Sequence, residues 1–249
     1  MTSVIGKISQ AAADLLRGRS APRPLEKFTR DQYKAIWNSV SGSEDLAKLA
    51  VSGYTDEELY TQLGGATVEL LRATVGVKPD DVILEIGAGV GRVGAALAPL
   101  CREWIGTDVS ENMVSHITRR LAAFSNVRAV VTNGYDLAPI PSQSVDVVYC
   151  TVVFMHLDEW DRYGYVSEAY RILKPGGRLM VDNVNLLSDG GWAFFEEHRA
   201  IRPDQRPAQI SKTSTPQELA AYFNRASFSE IGQLEAGLWI VTHGVKPLS

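Results

Sequence analysis

Two acids and three glycines at fixed spacing carry the strongest chemical signal in the chain: Glu85, Gly87, Gly89, Gly91 and, further on, Asp108. Residues 82–92 read Val-Ile-Leu-Glu-Ile-Gly-Ala-Gly-Val-Gly-Arg. The apolar run predicts a short buried strand that passes directly into a glycine turn. Glycine tolerates positive φ and lets a ligand come close to the backbone. Between a strand and a helix, such a turn aims backbone amides at a bound nucleotide. Residues 104–110 read Trp-Ile-Gly-Thr-Asp-Val-Ser, a second strand ending at Asp108. A carboxylate there can accept hydrogen bonds from both hydroxyls of a ribose.

The spacing separates one cofactor from another. A dinucleotide fingerprint, G-x-G-x-x-G, seats a pyrophosphate. Its third glycine would fall on position 92, which is Arg92. The pattern present is E-x-G-x-G-x-G, which suits a ligand without a pyrophosphate.

These residues need a sheet to hold them. Strands are expected near 81–86, 103–108, 127–132, 145–151 and 177–183, with helices near 91–100, 111–123 and 159–173. Such alternation predicts a parallel sheet wound on both faces. A further helix near 216–225 opens at Thr215-Pro216, a cap followed by proline in the first turn. The segments 228–235 and 238–245 flank Ala236-Gly237 and read as an antiparallel hairpin. Upstream, a helix is expected over about 29–40, with Tyr33 and Trp37 among its apolar residues. Another is expected over about 56–75, capped by Thr55 or Asp56. Residues 3–17 have helical apolar spacing, and residues 18–24 read as a linker. Residues 1–30 hold six basic residues against two acidic ones. Such an arm either packs on the domain, trails from it, or touches an anionic membrane surface.

The glycine pattern with its later acid resembles the class I S-adenosylmethionine-dependent methyltransferases. The resemblance continues in Ser144–Cys150, an acid-led fourth strand, in Thr151–Leu157 with its His-Leu pair, and in Leu173-Lys-Pro-Gly-Gly177 before strand five. It implies a Rossmann-like doubly wound, mostly parallel α/β sheet with an antiparallel C-terminal hairpin strand and an N-terminal helical extension. It also implies a division into a helical arm and lid, 1–75, and a cofactor-binding domain, 76–249, with a substrate-facing insert at 184–214. The cofactor implied is S-adenosylmethionine. The residues implied for it are Glu85, Gly87, Ala88, Gly89, Gly91, Asp108, Val109 and Thr151. Met113 has two readings, a cover for the adenine or a core-filling helix residue. Where many members have an acid after strand three, position 134 is a glycine. Asn133, Gly134 and Tyr135 are the candidates left for the adenine contact.

His156 is the candidate catalytic base, because an imidazole can take a hydroxyl proton near neutral pH. The alternative is a histidine that orders its loop. His116, His198 and His243 have weaker claims, on a helix face, in the insert and on an expected edge strand. Tyr33, Trp37, Asn183 and Trp192 are the candidate acceptor contacts. The Asp182-Asn183 pair resembles part of the metal site of catechol-type methyltransferases. The further acid of that site would fall at Thr151, so no metal is expected.

The acceptor expected is a small molecule methylated at oxygen or nitrogen. The alternatives are a non-catalytic binding module for S-adenosylmethionine or S-adenosylhomocysteine, and a nicotinamide-dependent oxidoreductase. A net charge of −4 disfavours a dedicated nucleic-acid binder. No apolar run is long enough for a membrane span, and the N-terminus lacks the apolar core of a signal peptide. Cys101 and Cys150 lack metal spacing and read as reduced core thiols of a cytoplasmic protein.

Overall fold

The structure, a computed structural model, describes residues 31–248. The arm at 3–17 and the linker at 18–24 lie outside the described residues.

Three helices precede the sheet: α1 (Asp31–Ser39), α2 (Glu44–Ser52) and α3 (Glu57–Thr74). Helix α2 was not among the expected elements. The Ser43 side chain accepts a hydrogen bond from Leu46 N at its start, and Gly53, at φ 76°, closes it in the left-handed region. Asp56 caps α3 by accepting from Leu59 N at 2.8 Å. Arg120 then straps the two helices down by bonding Glu44 at 3.2 Å and also Glu57. Glu57 accepts a second bond, from Lys48, at 2.6 Å. The hydrogen bond from Arg120, with that from Lys48, holds the Glu57 carboxyl down at about 2.

The alternating part follows as β1 (Val82–Ile86), α4 (Arg92–Leu97), β2 (Glu103–Asp108), α5 (Glu111–Arg120), β3 (Val127–Val131), β4 (Val145–Cys150), α6 (Glu159–Ile172) and β5 (Leu173–Val184). Then come α7 (Asp189–Arg199), α8 (Pro216–Arg225), β6 (Ser229–Ala236) and β7 (Trp239–Val245). The seven strands run in the order β3-β2-β1-β4-β5-β7-β6. The first five are parallel, and β7 is antiparallel to both β5 and β6. This is the mostly parallel sheet with a C-terminal hairpin that the sequence implied.

Successive residues of a strand face opposite sides, and the core divides accordingly. Leu84 and Val148 pack with Tyr165 and Ala169 of α6 and Phe223 of α8. Ile83, Val147 and Tyr149 pack on the other face with Leu71 of α3, Leu97 of α4 and Ile117 of α5. Each fully buried apolar side chain of this size contributes about 1.5–3 kcal/mol. Trp104 is completely buried on that second face. Its ring lies so close to α4 and β2 that a β carbon on Gly94 would come within 2.6 Å of it, and one on Gly106 within 2.4 Å.

Two expectations shift. Strand five begins at Leu173 rather than near 177, because Leu173 already pairs with Val145. The register then jumps to Val147 opposite Arg178, so residues 174–177 bulge out with Gly176 at φ 76°. His243 lies on β7, which has neighbours on both sides, and not on an edge strand. The acid leading β4 serves the fold: Asp146 accepts from Val82 N at 2.8 Å and from Lys174 at 2.8 Å.

Candidate functional site

The chain leaves β1 toward β2 and β3 on one side and returns to place β4 on the other. That reversal opens a crevice at the C-terminal ends of β1 and β4, where ligands of open α/β sheets bind. One cavity occupies it, lined by Glu85–Gly89, Arg92, Thr107–Val109, Met113, Thr132, Gly134, Thr151–Val153 and His156, with Tyr33, Trp37, Val51 and Tyr60 from the N-terminal helices.

The glycine turn is built as its sequence requires. Gly87 and Gly89 have φ of 71° and 55°. A β carbon on Gly87 would lie 2.3 Å from Val153, so a side chain there would fill the cavity floor. Ala88 N donates to Thr107 O at 2.9 Å, which ties the turn to β2. Gly91 closes the turn by donating to Ala88 O at 2.9 Å and lies behind the cavity rather than in its wall.

Asp108 is held by the turn it faces. Its Oδ2 accepts from Gly89 N at 3.0 Å and its Oδ1 from Ser110 N at 2.9 Å. Burial raises its carboxyl to about 6 against those amide donors. Each oxygen keeps a further lone pair for a ligand hydroxyl.

Glu85 lies beneath the turn, and its Oε2 accepts from the Tyr149 hydroxyl at 2.5 Å. That hydroxyl accepts in turn from Trp104 Nε1 at 3.0 Å. Burial pushes the Glu85 carboxyl up to about 8, against the Tyr149 hydrogen bond and the charge of Arg92.

At the far end, Val109, Met113, Thr132 and Gly134 form the wall. Met113 also packs with Tyr60 and Val90, so it both borders the cavity and fills a small core cluster. Asn133 does not line the cavity: its Oδ1 accepts from Tyr135 N and Asp136 N at 3.0 and 2.9 Å and shapes the loop. Tyr135 is 49% exposed and is also absent from the wall.

Beyond β4, Val152 has φ of 61°, a costly conformation for a β-branched residue. Its N–H donates to Asp182 Oδ1 at 2.7 Å. Burial raises the Asp182 carboxyl to about 7, and this hydrogen bond opposes the rise. Neighbouring residues of a strand point to opposite faces, and Asn183 accordingly turns away to bond Ser214 Oγ at 2.8 Å. Asp182 and Asn183 therefore do not converge as a ligand pair. Among the described residues no group of three His, Cys, Asp or Glu side chains is placed to hold a metal ion.

His156 sits in a short 3₁₀ turn, Phe154–His156. Its Nδ1 lies 3.0 Å from Gln209 O. A carbonyl only accepts, so this contact assigns the proton to Nδ1 and leaves Nε2 with its lone pair. Burial lowers the imidazole pKa, and the Gln209 bond opposes that only in part. Tyr33 donates to His156 O at 2.8 Å, and the Trp37 ring lies edge-on, 5.0 Å from the imidazole. The structure thus gathers Tyr33, Trp37, Thr151 and His156. It does not bring in Asn183, or Trp192, which is 53% exposed on α7 against Phe195.

Tyr60 was not among the sequence candidates. It is completely buried in the cavity wall, and its hydroxyl has no hydrogen-bond partner among the described residues. An orphaned buried hydroxyl costs about 1–3 kcal/mol, a cost that a polar ligand group would remove.

A pocket with a carboxylate at a strand end facing a glycine floor, and no pyrophosphate fingerprint, suits a nucleoside cofactor. A methyltransferase-domain family model matches residues 84–181. Over 108 residues the chain is 37% identical to a probable S-adenosylmethionine-dependent methyltransferase of Mycolicibacterium smegmatis, covering 43% of this chain and 39% of that one. Over 150 residues it is 30% identical to a demethylmenaquinone methyltransferase of Tropheryma whipplei, covering 60% and 58%. The chain thus spans about two fifths to three fifths of the length of these relatives. Magnesium protoporphyrin IX methyltransferase of Synechocystis, solved with bound S-adenosylhomocysteine, shares the fold at a TM-score of 0.65 and 16% identity, over 88% of this chain and all of that one. Residues 84–181 thus match a methyltransferase domain, and the chain is similar to S-adenosylmethionine-dependent methyltransferases of the class I fold. Glu85, the Gly87–Gly89 floor, Asp108 and the orphaned Tyr60 hydroxyl fit that cofactor.

Proposed function

We propose that the protein transfers the methyl group of S-adenosylmethionine to oxygen or nitrogen of a small-molecule acceptor. The observation carrying this reading is the single cavity that runs from Asp108, across the glycine turn, to Thr151 and His156. The cofactor supplies an already activated methyl. The chain's share is therefore alignment and exclusion of water. Asp108 takes the ribose hydroxyls. Gly87 and Thr151 border the methionine end, and Glu85 lies below it. Val109, Met113 and Gly134 enclose the adenine. Tyr33 and Trp37 cover the acceptor side, and His156 Nε2 receives the acceptor's proton where that acceptor is a hydroxyl.

Relatives named for demethylmenaquinone and magnesium protoporphyrin IX methylation support a small-molecule acceptor. Among the described residues no helix is long and apolar enough to cross a membrane. The two cysteines are buried and free, and we assign the protein to the reducing cytoplasm.

Calorimetry with S-adenosylhomocysteine, S-adenosylmethionine and NAD, followed by methyl transfer from labelled S-adenosylmethionine to an acceptor panel, tests the proposal. Binding of the first two and not of NAD is expected. NAD binding alone would return the oxidoreductase reading, and cofactor binding with no acceptor found would leave a binding module.

A further inference from the structure

A second, wider cleft of about 700 Å³ adjoins the cofactor cavity. That size lies within the usual range for small-molecule sites. Leu63, Ala66 and Leu70 of α3 form one wall, and Leu238, Trp239 and Val241 at the C-terminal hairpin form another. The two voids share Val51, Arg92, Thr151, Val152 and His156. They therefore meet at the end of β4, where an acceptor must present its nucleophile. A molecule filling the cleft would lie along apolar walls with one end at His156.

Arg92 stands at this junction. Its Nη1 reaches Thr67 Oγ1 at a long 3.4 Å, and Thr67 lines the cleft but not the cofactor cavity. The guanidinium head is thus directed to the cleft side. It makes no ion pair among the described residues. Glu85 and Asp182 both feel its charge, yet both are committed elsewhere, to the Tyr149 hydroxyl and to Val152 N–H. An arginine is always charged and carries five donors in a planar fork. Held in an apolar cleft with one weak bond, that fork suits an oxyanion, which it can engage through two parallel bonds.

We propose that the cleft is the acceptor site and that Arg92 selects an acceptor with an apolar body and a carboxylate, or a similarly ionised oxygen group, near its reacting end. The inference rests on the methyltransferase reading. A carboxylate at this point has two sources, the acceptor or the cofactor's own methionine end. The direction of the guanidinium toward Thr67 favours the acceptor.

The test is calorimetric, on the full chain loaded with S-adenosylhomocysteine, with 2-naphthoate and its neutral amide as probes. The acid should bind at least tenfold more tightly than the amide. Arg92→Gln should bring that ratio close to one. Ala66→Trp, which fills the cleft from α3, should weaken both probes tenfold and leave their ratio alone. Equal binding of acid and amide to the wild type would overturn the proposal, and that comparison needs no variant. A ratio that survives Arg92→Gln would overturn it too, as would a tenfold loss of S-adenosylhomocysteine affinity with the ratio intact, which would assign Arg92 to the cofactor. Failure of the wild type to bind S-adenosylhomocysteine at all would instead strike the methyltransferase reading.

Discussion

The Glu85 carboxyl should release a proton when the cofactor binds. Burial keeps it protonated up to about pH 8, against the hydrogen bond from Tyr149 and the charge of Arg92. In the proposed binding mode the ammonium of the cofactor's methionine end arrives above it and favours the ionised form. With a pKa of about 8, roughly ten molecules in eleven are protonated at pH 7, so release should approach about 0.9 proton per ligand. At pH 9 most of the carboxyl is ionised beforehand, and release should fall to about 0.1. Calorimetric titration of S-adenosylhomocysteine in phosphate, HEPES and Tris reads the proton count from the spread in binding enthalpy. Apparent affinity should climb with pH below 8, by up to roughly tenfold per unit, and then level off. Glu85→Gln should abolish the release. Tyr149→Phe removes a donor that favours the carboxylate and should shift the release curve to higher pH. A wild-type enthalpy that is the same in all three buffers at pH 7 refutes the reasoning. The carboxyl would then be ionised before the ligand arrives, or protonated after it has bound.

Asp108→Ala should weaken S-adenosylhomocysteine by about 1.5–3 kcal/mol, the range for hydrogen bonds to a charged group; unchanged affinity in a folded variant would remove Asp108 from the site. Gly87→Val should abolish the ligand-induced rise in melting temperature, because even a β carbon there would come within 2.3 Å of Val153. His156→Ala should lose about a hundredfold in turnover with little change in S-adenosylhomocysteine affinity, and the acidic limb of the pH–rate profile should fall below the ordinary histidine value, since burial lowers this pKa. Full activity with an unchanged profile would reduce His156 to a shaping residue. Ligand-free protein should melt at lower temperature as pH rises from 5 to 8. Burial raises Asp108, Asp182 and Glu85 to about 6, 7 and 8, so the folded chain holds protons that the unfolded chain has lost, and stability drains as pH climbs through those values. Glu57, held at about 2, adds no slope in that window. A melting temperature that rises over the range contradicts the burial argument.

The glycine turn and Asp108 were legible because their geometry is local. Positive φ demands particular residues, and a strand end fixes where the next side chain points. The mostly parallel sheet and its closing hairpin followed from alternation and the hairpin signal. Helix α2 escaped because it is only nine residues long, although Ser43 and Gly53 bracket it with a cap at each end. Tyr60 escaped for a different reason. It occupies an apolar position in α3, and nothing in the spacing tells a core tyrosine from one whose hydroxyl has been left over for a ligand. Arg92 registered only as a departure from the dinucleotide fingerprint; its place between two voids depends on the packing of α3 against α4. The Asp182-Asn183 pair suggested a shared role by adjacency, whereas strand alternation sends the two side chains to different partners.

The Trp104 ring pressed against Gly94 and Gly106 has a consequence for how such a chain can diverge. An alanine at either glycine is tolerated only after the indole has shrunk, and a smaller ring leaves a void until the alanine arrives. Each order of change passes through a weakened intermediate, so three positions scattered over a dozen residues are inherited as one character. The indole nitrogen also donates to the Tyr149 hydroxyl that holds Glu85. A lineage that exchanged this trio would therefore reset the acid under its cofactor at the same moment, and drift in the core would be felt as selection at the site.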